Sequence, residues 1–181
     1  PVARYPADLQ VYQELIAEQR PDVVVVVGDD EALAGRASFV ASVLDGLGDG
    51  RVVAVGVHAA AAPAHPRLTA MALPGDAPEA GARVTELVGG GSALVLLGLG
   101  ANTRLLAAFE SLAPLVPVDG YVVIENTVVN GRPVASSFGP GPHEAVVTLL
   151  ASHPDFVSDP TRERYTLTFN RGGYLKRLPP S

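Results

Sequence analysis

The residues best placed to do chemistry in this chain are Glu125 and Asn126, which follow directly on the apolar run Tyr121-Val122-Val123-Ile124. A carboxylate at the end of a buried strand can abstract a proton when burial raises its pKa, or it can simply bond to the loop that begins at Thr127. His58 lies just beyond another apolar run and could act as a general base near neutral pH. His143 and Glu144 open a helical segment after a Gly-Pro-rich loop. Asp29, Asp30 and Glu31 form an acidic cluster after a third run. Such acids cap a helix start and complement its dipole, and three consecutive side chains diverge too much to share a metal. Asn102 or Thr103 is placed to cap a helix, and Arg104 can offer a fork to a carboxylate or phosphate. His65 and His153 each precede a proline on turns, Ser136 and Ser137 sit in no nucleophile motif, and none of these four is assigned chemistry.

Glu125, His58 and Asp29 share one kind of address. Asp22 to Gly28, Arg51 to Gly56 and Ala93 to Gly100 are apolar runs that end on glycine. Continuous runs rich in β-branched residues read as strands buried on both faces of a parallel sheet. Ligands of such sheets bind outside the carboxyl ends of the strands, so the chemistry-bearing residues line the expected crevice. Helical segments are predicted at 9–19, near 36–46, and at 78–88, 103–113 and 143–152. Strands are predicted at 23–27, 51–57, 68–73, 93–97 and 120–125. Phe156–Val157 and Tyr165–Phe169 are expected to close the sheet as an antiparallel hairpin. Residues 126–142 read as a long loop of the functional kind. The alternation of strand and helix predicts an α/β fold with a mostly parallel sheet flanked by helices, in one domain over 1–181.

Composition narrows the function. The 181 residues are 48% hydrophobic and 18% charged, which favours a well-buried core over disorder. A formal net charge of −6, with thirteen scattered basic residues, argues against a nucleic-acid surface. Arg171, Lys176 and Arg177 form a short basic group that reads as a solvated tail. The absence of cysteine excludes disulfides, thiolate metal sites and a Cys nucleophile. No apolar stretch reaches the roughly 18 residues that span a bilayer. With no signal peptide visible, a cytoplasmic location is the default expectation.

Four ordered segments resemble the cephalosporin hydroxylase family, whose members have the Rossmann-like class I S-adenosylmethionine-dependent methyltransferase fold. Pro6 to Glu14 is similar to the family's N-terminal helix, and Tyr121 to Gly131 to its fifth strand and loop. Phe138 to Val146 resembles its loop-to-helix signature, and Arg164 to Leu175 its closing hairpin. The resemblance implies bound S-adenosylmethionine and a divalent metal held by acids at strand ends, in proteins that tailor antibiotics and sugars. Residue by residue, the chain departs from that plan. Gly28, Asp29 and Asp30 stand where the first strand should run through Glu-Thr-Gly into a glycine-rich turn. Gly56 replaces the ribose-binding acid, Gly98-Leu99-Gly100-Ala101 replaces Asp-Ser-Asp-His, and Glu125-Asn126 replaces Glu-Asp.

The expectation is therefore a methyltransferase-like tailoring protein with a degenerate cofactor site at Gly28, Asp29, Asp30 and Gly56. No metal and no cofactor are expected, S-adenosylmethionine being disfavoured. Glu125, Asn126, His58 and His143 would carry cyclisation, isomerisation or proton transfer on a small molecule. The alternatives are a catalytically silent partner of an active relative, and an active O-methyltransferase with unusual ligands. A homo-oligomer, or a hetero-oligomer with a related protein, is expected.

Overall fold

The valine run 23–27 cannot satisfy its backbone and hide its side chains except inside a sheet, and that is where it lies. The computed structural model describes residues 5–128, 139–165 and 167–180. The sequence folds in the order α1 (Pro6–Gln19), β1 (Val23–Gly28), α2 (Leu33–Leu47), β2 (Arg51–Val55), β3 (Leu68–Met71), α3 (Pro78–Val88), β4 (Ala93–Gly98), α4 (Asn102–Leu112), β5 (Tyr121–Ile124), α5 (Pro142–Ser152), β6 (Phe156–Ser158) and β7 (Tyr174–Arg177). Seven strands among the described residues form one sheet in the order β3-β2-β1-β4-β5-β7-β6. The first five are mutually parallel, whereas β7 runs antiparallel to both β5 and β6.

Alternate residues of β1 feed two cores. Val23, Val25 and Val27 pack with α3, α4 and α5 on one face, and Val24 and Val26 pack with α1 and α2 on the other. All five valines are fully buried, and each such side chain contributes roughly 1.5 kcal/mol or more in area removed from water. The helices stop where local chemistry stops them. α1 ends on Arg20 in the left-handed region (φ 43°) before Pro21, and α3 starts at Pro78 and ends on Gly89 (φ 62°). No helix among the described residues is long and apolar enough to cross a membrane.

The closing hairpin is built from other residues than expected. β6 pairs with Tyr174–Arg177, in the register Phe156↔Arg177 and Ser158↔Leu175, and β7 lies between β6 and β5. Of the expected partner Tyr165–Phe169, residue 166 lies outside the described residues, and Leu167 and Phe169 turn their side chains outward. This segment docks on α1 instead. Tyr165 donates to Glu14, Thr168 donates to Asp8, and the Phe169 ring stacks on Tyr5. Burial decides the exchange, because Tyr174 and Leu175 are fully buried. Lys176 and Arg177, expected in a solvated tail, belong to that strand and pair with Asp119 and Asp155.

Candidate functional site

The carboxyl ends of β1 and β4 meet as Gly28↔Gly98. Here the connections diverge, one to β2 and the other through α4 to β5, which makes the pair the switch point of the sheet. Two arginines converge on it from opposite faces. Arg36, in the first turn of α2, donates through Nη1 to both oxygens of Asp30, at 2.7 and 2.9 Å. Arg104, in the first turn of α4, pairs with Asp29 and with Asp76 beyond β3. The neighbouring acids Asp29 and Asp30 thus point to opposite faces. The capping role expected of this cluster is not what the structure shows: α2 has Ala32 at its N-cap and no side-chain cap, so the acids serve the arginines. α4 likewise begins behind Ala101, and neither Asn102 nor Thr103 caps it.

The Arg104 hydrogen bond holds the Asp76 carboxyl below its ordinary range. A carboxyl depressed in the folded state stabilises fully above its unfolded pKa, near 4, and the gain is lost as pH falls through the folded value. Because Arg104 is about one-third exposed, screening keeps the contribution under about 1 kcal/mol. Asp76→Asn is therefore expected to be slightly less stable than the parent at pH 7, with the difference closing in acid. Paired urea titrations across that range check it, and a pH-independent difference contradicts it.

Glu125 is fully buried at the end of β5. The Tyr12 hydroxyl donates to its Oε1 at 2.8 Å, and Arg36 Nε stands 3.6 Å from Oε2. Asn170 ties this corner together. Its Nδ2 donates to the Tyr12 hydroxyl at 2.8 Å, and its Oδ1 accepts the Asn126 backbone N–H at 2.9 Å. That bond holds Asn126 in the left-handed region, at φ 60°. The network continues from Asn170 to the Tyr174 hydroxyl, and from there to Asp8, which also accepts the Phe169 N–H. Burial pushes the Tyr174 phenol well up, so it remains a neutral donor.

The sequence reading placed Glu125 and Asn126 at this edge but not their partners Tyr12, Asn170, Arg36 and Asp8. One signal could have found three of them. Asp8 and Tyr12 share the stripe of α1 that buries Val11, Leu15 and Ile16, and Arg36 lies in the stripe of α2 with Leu33, Ala37 and Val40. A polar residue on an apolar stripe needs a buried partner.

The other expected site residues are dispersed. His58 is exposed, just before the short 3-10 turn Ala59–Ala61. His143 is half-buried in the first turn of α5, where Glu144 accepts the Gly141 N–H. Among the described residues, no hydrogen bond or ion pair joins either imidazole to Glu125 or Asn126. Gly56 packs on β1: a Cβ there would stand 1.7 Å from the Gly28 carbonyl oxygen. Residues 129–138 of the expected functional loop, with Ser136 and Ser137, lie outside the described residues.

The chain matches the family model described as Rhamnosyl O-methyltransferase/CmcI over residues 1–178. It is 29% identical over 180 residues to the rhamnosyl O-methyltransferase of Mycobacterium leprae (strain TN), covering 94% of this chain and 78% of that protein. To the rhamnosyl O-methyltransferase of Mycobacterium tuberculosis (strain ATCC 25618 / H37Rv) it is 27% identical over 181 residues, covering 94% and 73%. Among solved structures it is similar to apo CmcI, with a TM-score of 0.67, 16% identity and coverage of 98% and 73%. It is equally similar to CmcI with Mg and SAM, with a TM-score of 0.67, 16% identity and coverage of 97% and 73%. These findings overturn the expectation of a protein without a cofactor, since its relatives are methyltransferases and its structural neighbours bind SAM with Mg, or SAH. That expectation counted missing acids at single positions, whereas the folded edge gathers Asp29, Asp30, Arg36 and Glu125 from several segments.

Proposed function

The chain belongs to the Rhamnosyl O-methyltransferase/CmcI family, and we propose from that premise that it is an S-adenosylmethionine-dependent O-methyltransferase acting on a hydroxyl of a small, sugar-like or secondary-metabolite substrate. The observation that carries this reading is the charged edge at the Gly28–Gly98 switch point. The amino-acid end of S-adenosylmethionine bears a carboxylate and an ammonium. Buried Nε and Nη2 donors of Arg36 that make no hydrogen bond, with the Asp29 and Asp30 carboxylates on the same strand end, supply charges of both signs. When bound, S-adenosylmethionine would supply the methyl group, which passes from sulfur to the substrate oxygen as S-adenosylhomocysteine leaves and the hydroxyl proton goes to a base.

The chain's own residues divide the remaining work. Tyr12 and Arg36 hold Glu125 in place, so its carboxylate acts as a fixed counter-charge that orients Arg36. Asn126, held by Asn170, shapes the start of the substrate-side loop. His143, half-buried at the head of α5, takes the hydroxyl proton, and His58 stays outside the reaction. A divalent ion does not fit the donor set. Glu125 already faces a guanidinium, Gly98 and Gly100 offer no side chain, and no three His, Asp or Glu residues cluster as ligands among the described residues. Methyl transfer is therefore read as metal-independent.

Calorimetric titration with S-adenosylmethionine tests the reading. Binding is expected at a Kd on the order of micromolar, unchanged by Mg²⁺ or by EDTA. No binding would end the cofactor assignment, and binding only with Mg²⁺ would end the metal-independent one.

A further inference from the structure

Leu167 and Phe169 are 61% and 48% exposed, although the segment that carries them is firmly seated. Thr168 between them turns inward, where its hydroxyl donates to the buried Asp8, and the Phe169 N–H donates to the same carboxylate at 3.1 Å. The Phe169 ring lies on the Tyr5 ring, with centroids 5.6 Å apart and planes 28° from parallel. Two stacked rings and a leucine, anchored on a buried acid, form a rigid apolar platform.

The platform stands at the carboxyl edge of the sheet. Tyr12 reaches Glu125 at the end of β5, and α1 then runs down toward Pro21 and the start of β1. Tyr5, at the other end of α1, therefore rises above that edge, about 10 Å beyond Tyr12 at the usual helical rise per residue. Phe169 is joined to the same corner. Its carbonyl accepts the Val128 N–H at 3.2 Å, and its neighbour Asn170 holds the Asn126 N–H and the Tyr12 hydroxyl. The platform is thus continuous with the end of β5, on the side where open α/β sheets take their ligands.

Size and chemistry select the occupant. With roughly 200 Å² to a large side chain, the open parts of Phe169 and Leu167 come to about 200 Å², well short of the ~800 Å² per partner of a stable protein interface. The acids beneath are engaged, Asp8 by Thr168, Phe169 and Tyr174, and Glu14 by Arg164 and Tyr165. What the platform offers a ligand is therefore ring face and methyl groups. A sugar ring presents a face of C–H groups, which the negative face of an aromatic ring attracts, while its hydroxyls stay free at the rim. We propose that Phe169, backed by Tyr5 and flanked by Leu167, is the platform on which the sugar ring of the acceptor lies. The proposal rests on the methyl-transfer reading above and adds to it the residues that receive the acceptor.

Saturation-transfer NMR with methyl α-L-rhamnopyranoside as the probe, in the presence of S-adenosylhomocysteine, tests it. Saturating the aromatic protons of the parent protein should carry signal to the ring protons of the sugar. Phe169→Ser should weaken probe binding about tenfold, the upper worth of one aromatic contact. Leu167→Ser should weaken it less, and Phe169→Tyr should keep it. Both positions are exposed, so the melting curves of the variants should match that of the parent. Calorimetric binding of S-adenosylhomocysteine should be the same in all four proteins. No transfer in the parent, or transfer that Phe169→Ser leaves unchanged, overturns the platform. So does a parent dimer in sedimentation that Phe169→Ser dissolves, since a second copy then covers the patch. A parent that takes the sugar on Phe169 yet binds no S-adenosylhomocysteine keeps Phe169 as a sugar site and removes the methyl-transfer reading.

Discussion

Arg36→Met should destabilise the protein by about 3–5 kcal/mol, the usual cost of removing one partner from a buried ion pair. Arg36 is 2% exposed and Glu125 is fully buried, so solvent cannot replace the lost cation. The tie between Arg36 and Asp30 adds little to this figure, because Asp30 is 43% exposed and water compensates it. Adding Glu125→Gln should recover part of the loss, since a neutral amide still accepts the Tyr12 hydroxyl and no longer needs the lost cation. Urea unfolding of the parent, both single variants and the double variant closes the cycle. A single Arg36→Met variant that loses less than about 1 kcal/mol would mean that Glu125 draws its compensation elsewhere.

Gly56→Ala should cost about 3 kcal/mol, the upper part of the range for overpacking a tight interior. The added Cβ would stand 1.7 Å from the Gly28 carbonyl oxygen and 2.7 Å from Leu33 Cδ2. The first is backbone inside a parallel ladder, so β2 must move away from β1. For a domain of this size the loss corresponds to a fall in Tm of about 6–12 °C, readable by circular dichroism. Gly56→Asp, which installs the acid expected from the family pattern, should fare no better. An unchanged melting curve for Gly56→Ala would show that the β1–β2 contact yields easily.

The second result bears on how the sequence is read. Gly56 looks in sequence like a deleted ribose acid, and Gly98 and Gly100 look like deleted metal ligands. In the fold, Gly56 is where one strand end closes on its neighbour, and no sequence pattern reports that approach. The acids appear elsewhere on the same edge, at Asp29 and Asp30, and they are answered by Arg36 and Arg104. The sequence shows these acids at the strand end, whereas only the fold shows the arginines that answer them.

The sheet itself was legible because its signals are local. Valine runs bounded by glycine, helices opened by Pro78 or closed by Gly89, and apolar stripes at helical spacing each involve a few neighbouring residues. These signals alone determined β1, β2, β4 and β5, the helices between them, and the edge on which Glu125 and Asn126 lie. The closing strand was misplaced because Tyr165–Phe169 and Tyr174–Arg177 have similar propensity, and only packing distinguishes them. Tyr12 and Glu125 are 113 residues apart, and Tyr12 and Asn170 are 158 apart. Local periodicity carries no information about which of two distant polar groups will meet. Their pairing, the tie between Arg36 and Asp30 and the opposed directions of Asp29 and Asp30 were decided by tertiary structure alone, because burial makes each polar group on an apolar stripe find its partner only once the chain has closed around it.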